Sequence, residues 1–358
     1  MITSVQPVPM MIVIPPARIP EEPAAVIPHA GICEGGVGHP TSLPQSAKKM
    51  FYLLTNNSKC RQRKLMNHIV PLLLLLASQA IAAPLSGGMA PYPPQMKGAR
   101  VETYKTVGDT QLNLYIFAPA AASNAPAIVF FFGGAWIFGS PQQFEEQCRH
   151  FAERGMVAIT VDYRVKTRQN AKPVQCVADA RSAIRWVRAN AAKLGIDPNR
   201  IAAGGGSAGG HLAAATAFIK DFDEPKEDKS ISATPNALVL FNPGLVLAPL
   251  DGNNFGGSGK RATEERFGTK PENISPAHHI YKGAPPTIIF HGKADTTVPY
   301  VTVEAFTAEM IKAGNRCELV GFDGEQHGFF NSEPFLTQTL KAADKFLASI
   351  GWLKEPAE

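Results

Sequence analysis

The stretch Arg200-Ile-Ala-Ala-Gly-Gly-Gly-Ser-Ala-Gly-Gly-His-Leu-Ala-Ala-Ala constrains the fold of this chain more than any other. A short apolar strand runs into Gly205-Gly206-Ser207-Ala208-Gly209 and leaves as an alanine-rich helix. In such a G-x-S-x-G turn the serine is forced to strained backbone angles, and the flanking glycines leave room for strand and helix to approach. The N-terminal N–H groups of the helix point at the serine, where negative charge develops in acyl transfer. The competing reading is a phosphate-binding glycine loop. Against it, the lysine of G-x-x-x-x-G-K-[ST] is absent, and a G-x-G-x-x-G reading lacks its downstream ribose-binding acid.

A serine hydroxyl is a weak nucleophile unless a base takes its proton, so the turn predicts a histidine held by a carboxylate later in the chain. Asp295 follows the apolar run Thr287 to Phe290, and His327 follows the run Glu318 to Phe322. The order Ser207, Asp295, His327, each just beyond the end of a different strand, places all three on one edge of a sheet. Asp323, four residues before His327, is the rival carboxylate, but a separate strand end lets Asp295 approach the imidazole from behind. The other histidines are assigned no chemistry. His211 reads as a packing residue one turn into the helix, His291 as ordering the Asp295 loop, and His278-His279 as lacking ligand spacing. Acyl transfer also needs donors for an oxyanion. Gly133-Gly134-Ala135 after a buried strand offers backbone N–H groups for it, and Ala208, the residue after the serine, supplies another.

The pattern around these residues is α/β. Val101 to Thr106 and Leu112 to Phe117 flank Gly108-Asp109 as a hairpin, and Ala127 to Phe132 is a continuous apolar run of the kind buried on both sheet faces. Shorter runs recur at Met156 to Val161, Ile201 to Ala203, Ala237 to Phe241 and Thr287 to Phe290, with a helix-period stretch from Cys176 to Leu194. Alternating buried strands and amphipathic helices imply a mostly parallel sheet covered on both faces. Residues 83–358 are expected to form one such domain, with an insertion at about 245–283 large enough to cover a site.

The net charge of +5 hints at a polyanionic partner until it is divided along the chain. Residues 1–82 hold seven Lys or Arg against three Glu, which leaves 28 basic against 27 acidic residues afterwards. No electrostatic reason for nucleic-acid binding remains. Within that leader, the basic Arg61-Gln-Arg-Lys, the apolar Ile69 to Ala77 and the small Ala80-Ile81-Ala82 read as a secretory signal peptide over 66–82, its basic region beginning near 61. The apolar run is too short for a stable membrane anchor. Residues 1–65 read as an unstructured leader or a misread gene start, with translation beginning at Met50 or Met66. Export to the periplasm or medium is the expectation. Three cysteines remain in the body, Cys148, Cys176 and Cys317, which allow at most one disulfide and no zinc cluster.

With Phe132-Gly-Gly-Ala-Trp136, Asp162-Tyr-Arg164, Ser207, Asp295 and His327 in this order, residues of about 100–350 resemble an α/β-hydrolase of the acetyl esterase and hormone-sensitive-lipase-like group. That family's oxyanion loop is usually H-G-G-G, and by position the resemblance implies Gly133 and Gly134 as donors, with Ala208 as the third. Here Phe132 stands in the histidine position and Ala135 in the third glycine position, so the N–H groups are kept while the loop's polar tether is absent. Asp162-Tyr163-Arg164 matches the family's D-Y-R, which implies a structural brace for the loop. The short lead before the hairpin is similar to minimal secreted esterases that remove acetyl or feruloyl groups from plant polysaccharides such as xylan. The resemblance implies a secreted serine carboxylesterase in which Ser207 attacks, His327 shuttles the proton and Asp295 orients it, with a small-molecule or carbohydrate ester as substrate and neither metal nor organic cofactor. A prolyl-oligopeptidase-like peptidase and a non-catalytic binding member of the fold are the alternatives. Trp136 and Phe138 either line the substrate pocket or belong to the core, and oligomeric state is not legible.

Overall fold

The apolar run that ends in Gly133-Gly134 is strand β3 (Ala125–Phe131), buried along its whole length. Its side chains alternate as an extended strand requires. Ala127, Val129 and Phe131 enter one hydrophobic cluster, while Ile128 and Phe130 enter another on the opposite face. The computed structural model describes residues 92–255 and 262–355. The chain divides into units of residues 1–87 and 88–358, and every described residue belongs to the second. The expected leader (1–65) and signal peptide (66–82) lie outside the described residues.

Around β3 are β1 (Arg100–Val107), β2 (Thr110–Phe117), β4 (Val157–Val161), β5 (Ile196–Gly206), β6 (Ala237–Phe241), β7 (Thr287–Gly292) and β8 (Cys317–Phe322). They form one eight-stranded sheet in the order β1-β2-β4-β3-β5-β6-β7-β8. The hairpin of β1 and β2 turns at Gly108-Asp109 as expected and joins β4 antiparallel, and every other neighbouring pair is parallel. Eight mostly parallel strands with helices on both faces are the α/β-hydrolase fold.

One face is covered by α1 (Glu145–Glu153) and by the last helix, Phe335–Ser349, through Cys148, Phe151, Phe346 and Leu347. The other is covered by the long helix Pro173–Ala189, by the helix Ala208–Phe218 and by the helix Tyr300–Lys312, through Val177, Ile184, Leu212, Val303 and Phe306. In chain order the helices are α1, α2 (Lys166–Gln169), α3 (Pro173–Ala189), α4 (Ala191–Leu194), α5 (Ala208–Phe218), α6 (Glu264–Phe267), α7 (Tyr300–Lys312) and α8 (Phe335–Ser349). The single helix expected over Cys176 to Leu194 is two. Proline at the first position starts α3 early, and the Asn190 carboxamide donates to the Trp186 carbonyl at 2.8 Å, ending the helix before α4 begins. The three body cysteines are free thiols. Cys148 and Cys176 lie in the clusters on opposite sheet faces, so the sheet itself separates that pair.

Because β3, β5, β7 and β8 run in one direction, their C-terminal ends meet along one edge. The four loops leaving that edge carry Gly133, Ser207, Asp295 and His327.

Candidate active site

The serine turn has the strain its pattern demands. Ser207 sits at φ 53 and ψ −116 between β5 and α5, a conformation rare for a residue with a side chain. The glycine at 209 is obligatory, because a Cβ there would overlap the carbonyl oxygens of Phe131 and Phe132. Helix α5 can therefore pack directly against the end of β3.

Three hydrogen-bonded side chains define the site. Ser207 Oγ lies 2.8 Å from His327 Nε2, and His327 Nδ1 lies 2.7 Å from Asp295 Oδ2. A carboxylate only accepts, so the imidazole proton sits on Nδ1 and leaves Nε2 to accept from the serine hydroxyl. The loops that carry Asp295 and His327 touch at Gly292, where a side chain would collide with the Glu325 carbonyl, and Ala294 N–H donates to that carbonyl at 3.0 Å. Asp323, the rival carboxylate, points to solvent with its side chain 87% exposed and pairs with Lys293 at 2.7 Å.

Asp295 is fully buried as a side chain. Burial alone pushes its carboxyl up, but hydrogen bonds from His291, His327 and the Val298 N–H outweigh that and hold it well below the usual carboxylate range. Oδ1 accepts from the N–H groups of Thr297 and Val298 at 2.8 and 2.9 Å. Oδ2 accepts from Asn242 Nδ2 at 3.0 Å in addition to His327. His291 braces this loop, its Nε2 lying 2.8 Å from the Val298 carbonyl and 3.3 Å from Asp295 Oδ2.

The oxyanion loop differs from expectation at one of its three donors. Gly133 N–H donates to Gln143 Oε1 at 2.6 Å, so that hydrogen is already committed. The N–H groups of Gly134, Ala135 and Ala208 donate to no protein acceptor among the described residues, the last because the first turn of a helix has no intrahelical partner. Gly134, Ala135 and Ala208 are thus the available donors in place of Gly133, Gly134 and Ala208. Ala135 reaches its place at φ 56 without being glycine. The loop is braced by the D-Y-R segment: Tyr163 OH donates to the Phe132 carbonyl at 2.7 Å, and the two rings stack at 4.0 Å. An aromatic stack stands where the resemblance implies a histidine.

A cavity of about 310 Å³ opens over Ser207, walled by Gly133, Gly134, Phe138, Gln143, His327 and Phe330. Phe138 belongs to this wall and is 59% exposed. Trp136 does not. Its indole is buried against His211 and Phe267 and its Nε1–H donates to His211 Nδ1 at 3.3 Å, because the loop turns inward at positive φ at 135 and 136. His211 in turn holds the Ile274 carbonyl at 2.6 Å, and burial pushes its pKa down to about 4, which makes it a neutral packing residue. The insertion, expected as a possible cover, contributes none of its described residues to the cavity. Leu245, Phe267 and Ile274 instead pack into the core beside α5.

Three residues escaped the sequence reading. Asn242, after β6, donates to Asp295 and accepts the Gly328 N–H at 3.3 Å. Gln143 joins the oxyanion loop to Asn331, its Nε2 donating to Asn331 Oδ1 at 3.1 Å, and Asn331 Nδ2 donates to the Gly328 carbonyl at 2.8 Å. These amides link the oxyanion loop to the His327 loop. A weak signal was present at Asn242 alone, an asparagine closing an otherwise apolar strand at the sheet edge that carries Ser207.

The family model BD-FAE matches residues 112–310, more than half of the sequence and inclusive of the serine turn and the Asp295 loop. The chain belongs to the BD-FAE family. A thermophilic esterase from Thermogutta terrifontis is similar to this BD-FAE member at 52% identity, covering 76% of this chain and 99% of its own with a TM-score of 0.72. That enzyme has been observed with propionate bound and phosphorylated by paraoxon. Esterase LipC of Mycobacterium tuberculosis is 29% identical over 218 residues, 57% of this chain and 53% of LipC. Isoprenylcysteine alpha-carbonyl methylesterase ICME of Arabidopsis thaliana is 31% identical over 221 residues, 56% of this chain and 50% of ICME. The chain spans about half the length of the curated relatives it matches. Among the described residues, no helix is long and apolar enough to cross a membrane.

Proposed function

We propose that this BD-FAE member is a secreted serine carboxylesterase of the hormone-sensitive-lipase-like group that hydrolyses short-acyl esters, with acetyl or feruloyl esters of plant polysaccharide as its natural substrate class. The observation that carries the reading is the unbroken hydrogen-bonded line from Ser207 Oγ through His327 to a buried Asp295. In this mechanism Ser207 Oγ attacks the ester carbonyl carbon while its proton passes to His327 Nε2. Asp295 stabilises the imidazolium and stays ionised, as the depression of its pKa supports. The carbonyl oxygen becomes an oxyanion held by the N–H groups of Gly134, Ala135 and Ala208. Donors of this kind contribute roughly 3–4 kcal/mol each to the transition state. His327 gives the proton to the leaving alkoxide, and a water then repeats the sequence on the acyl-enzyme.

A cavity of about 310 Å³ bounded by Phe138 and Phe330 favours small acyl groups, in keeping with propionate in the Thermogutta relative. A p-nitrophenyl ester series from acetate to decanoate tests the reading, with Ser207→Ala alongside. Turnover that is fastest for short chains and disappears in Ser207→Ala is expected. Activity surviving in that variant, or none in the wild type, overturns the mechanism. Secretion is supported by the basic, apolar and small-residue segments of 61–82. Sequencing the N-terminus of exported protein should find Ala83, and full-length chain retained in the cytoplasm would refute export.

A further inference from the structure

The oxyanion loop, residues 133–139, is pinned from outside by its carbonyls. Those of Trp136 and Ile137 accept from the Lys166 and Thr167 N–H groups at the start of α2, at 3.1 and 2.9 Å, and that of Ala135 accepts from Arg266 Nη2 at 3.3 Å. A planar trans peptide points its carbonyl and the following N–H in opposite directions, so each donor of the hole is aimed by the carbonyl before it. The Gly134 N–H is aimed by the Gly133 carbonyl, which packs so closely on Gly139 that a Cβ there would overlap it. The Ala135 N–H is aimed by the Gly134 carbonyl, which accepts from the Ile137 and Phe138 N–H groups at 2.9 and 3.2 Å. Both loop donors therefore depend on where the Phe138-Gly139 end of the loop lies.

Arg168 holds that end. Its Nη1 donates to the Gly139 carbonyl at 2.7 Å, the short length of a bond whose donor carries charge. The guanidinium is itself fixed on more than one side. Nη2 lies 3.5 Å from Asp162 Oδ1, and the planar group lies over the Tyr92 ring at 4.0 Å and over the Phe132 ring at 5.9 Å. Tyr92 OH in turn donates to Asp162 Oδ2. A guanidinium already oriented in this way loses little freedom in gripping a carbonyl.

We propose that Arg168 is a positioning residue for the esterase site, setting the aim of the Gly134 and Ala135 N–H groups through the Gly139 carbonyl, an inference that rests on the esterase reading. Arg168 does not line the cavity over Ser207. It lies outside Asp162-Tyr163-Arg164 yet completes that brace. Tyr163 OH holds the Phe132 carbonyl where the loop begins, and Arg168 holds the Gly139 carbonyl where it ends.

Turnover of p-nitrophenyl acetate and inhibition by trifluoroacetone, measured on wild type, Arg168→Met, Arg168→Gln and Arg168→Lys, test the role. Trifluoroacetone reports on the hole without a leaving group. Ser207 Oγ bonds to its carbonyl carbon, the π pair moves onto the oxygen as an oxyanion, and the serine proton passes to His327 Nε2. Arg168→Met, which keeps much of the length and loses the donor, should lower kcat by about tenfold or more with KM within about twofold, the mark of an interaction made only in the transition state. Its affinity for trifluoroacetone should fall by the same factor, since the adduct carries the same oxyanion. Arg168→Lys, whose ammonium can still donate to the Gly139 carbonyl, should recover part of both. A residue with a merely structural role would lower the urea midpoint and leave kcat and trifluoroacetone affinity of the folded protein unchanged, and that result overturns the proposal. So does a fall in kcat with trifluoroacetone affinity intact, or a lysine variant no better than the methionine one. Arg168→Gln keeps a polar tip and decides the same comparison where the methionine variant does not fold. A wild type that hydrolyses no ester sinks the esterase reading itself, whereas an active wild type with folded and equally active variants sinks only the role of Arg168.

Discussion

Replacing Asn242 by alanine tests whether the Asp295 carboxylate is held by the surrounding backbone alone or needs the side chain behind it. Asn242 is fully buried, donates to Asp295 Oδ2 at 3.0 Å and accepts the Gly328 N–H at 3.3 Å. The first bond ends on a charged group and contributes about 2 kcal/mol, and the second contributes about 1 kcal/mol. The residue also sits at φ 43, in a left-handed region that asparagine tolerates better than alanine by about 1 kcal/mol. Asn242→Ala should therefore lower the free energy of unfolding by about 4 kcal/mol, measured by urea denaturation with linear extrapolation. Asn242 does not line the cavity, so KM for p-nitrophenyl acetate should hardly change. Loosening Asp295 and the Gly328 turn together misplaces His327, and a misplacement of about 1 Å lowers kcat by about a hundredfold. A stability loss below about 1 kcal/mol together with an unchanged kcat would refute the reasoning, because neither hydrogen bond would then be contributing its ordinary share.

Two further outcomes follow from strain and burial. Ser207→Gly and Ser207→Ala both remove the proposed nucleophile, but glycine accepts φ 53 and ψ −116 more readily. The glycine variant should thus unfold at about 1 kcal/mol higher free energy than the alanine variant, and equal melting temperatures would show that the turn stores no strain. Burial pushes the Asp162 carboxyl up to about 6. An acid whose folded pKa exceeds its unfolded value loses its proton more easily when unfolded. Its cost to stability therefore grows as pH rises from about 4 to about 6 and is constant above that, reaching roughly 3 kcal/mol. Asp162→Asn should flatten the pH dependence of the denaturation midpoint over that window, and an unaltered slope would remove Asp162 as its source.

Local patterns carried the strands and the three hydrogen-bonded side chains Ser207, His327 and Asp295 because each depends on its immediate neighbours. Continuous apolar runs such as Ala127 to Phe131 become strands buried on both faces. The glycines around Ser207 leave one way to turn from strand to helix, and the order Ser207, Asp295, His327 follows from successive parallel strand ends reaching one edge. The break at Asn190 within the expected long helix was hidden, since it depends on a side chain reaching back one turn to Trp186.

Tertiary structure decided what lies between the loops. That Gly133 gives its N–H to Gln143 rather than to an oxyanion depends on two segments ten residues apart folding onto each other. Trp136 and Phe138 were equivalent in the sequence, two aromatic residues in one loop. Positive φ at Ala135 and Trp136 turned the indole into the core beside His211 and left the phenyl ring at the cavity wall. Gln143 and Asn331 carry no signature, because a hydrogen bond between distant amides leaves no periodicity or spacing in the chain, and Asn242 carries only its place at the end of an apolar strand. The sequence thus determined which groups could react and on which edge of the sheet they would meet, through local backbone sterics and strand direction. Only the packing of loops from distant parts of the chain decided which N–H groups stay free, what holds Asp295 in place and where a substrate can lie.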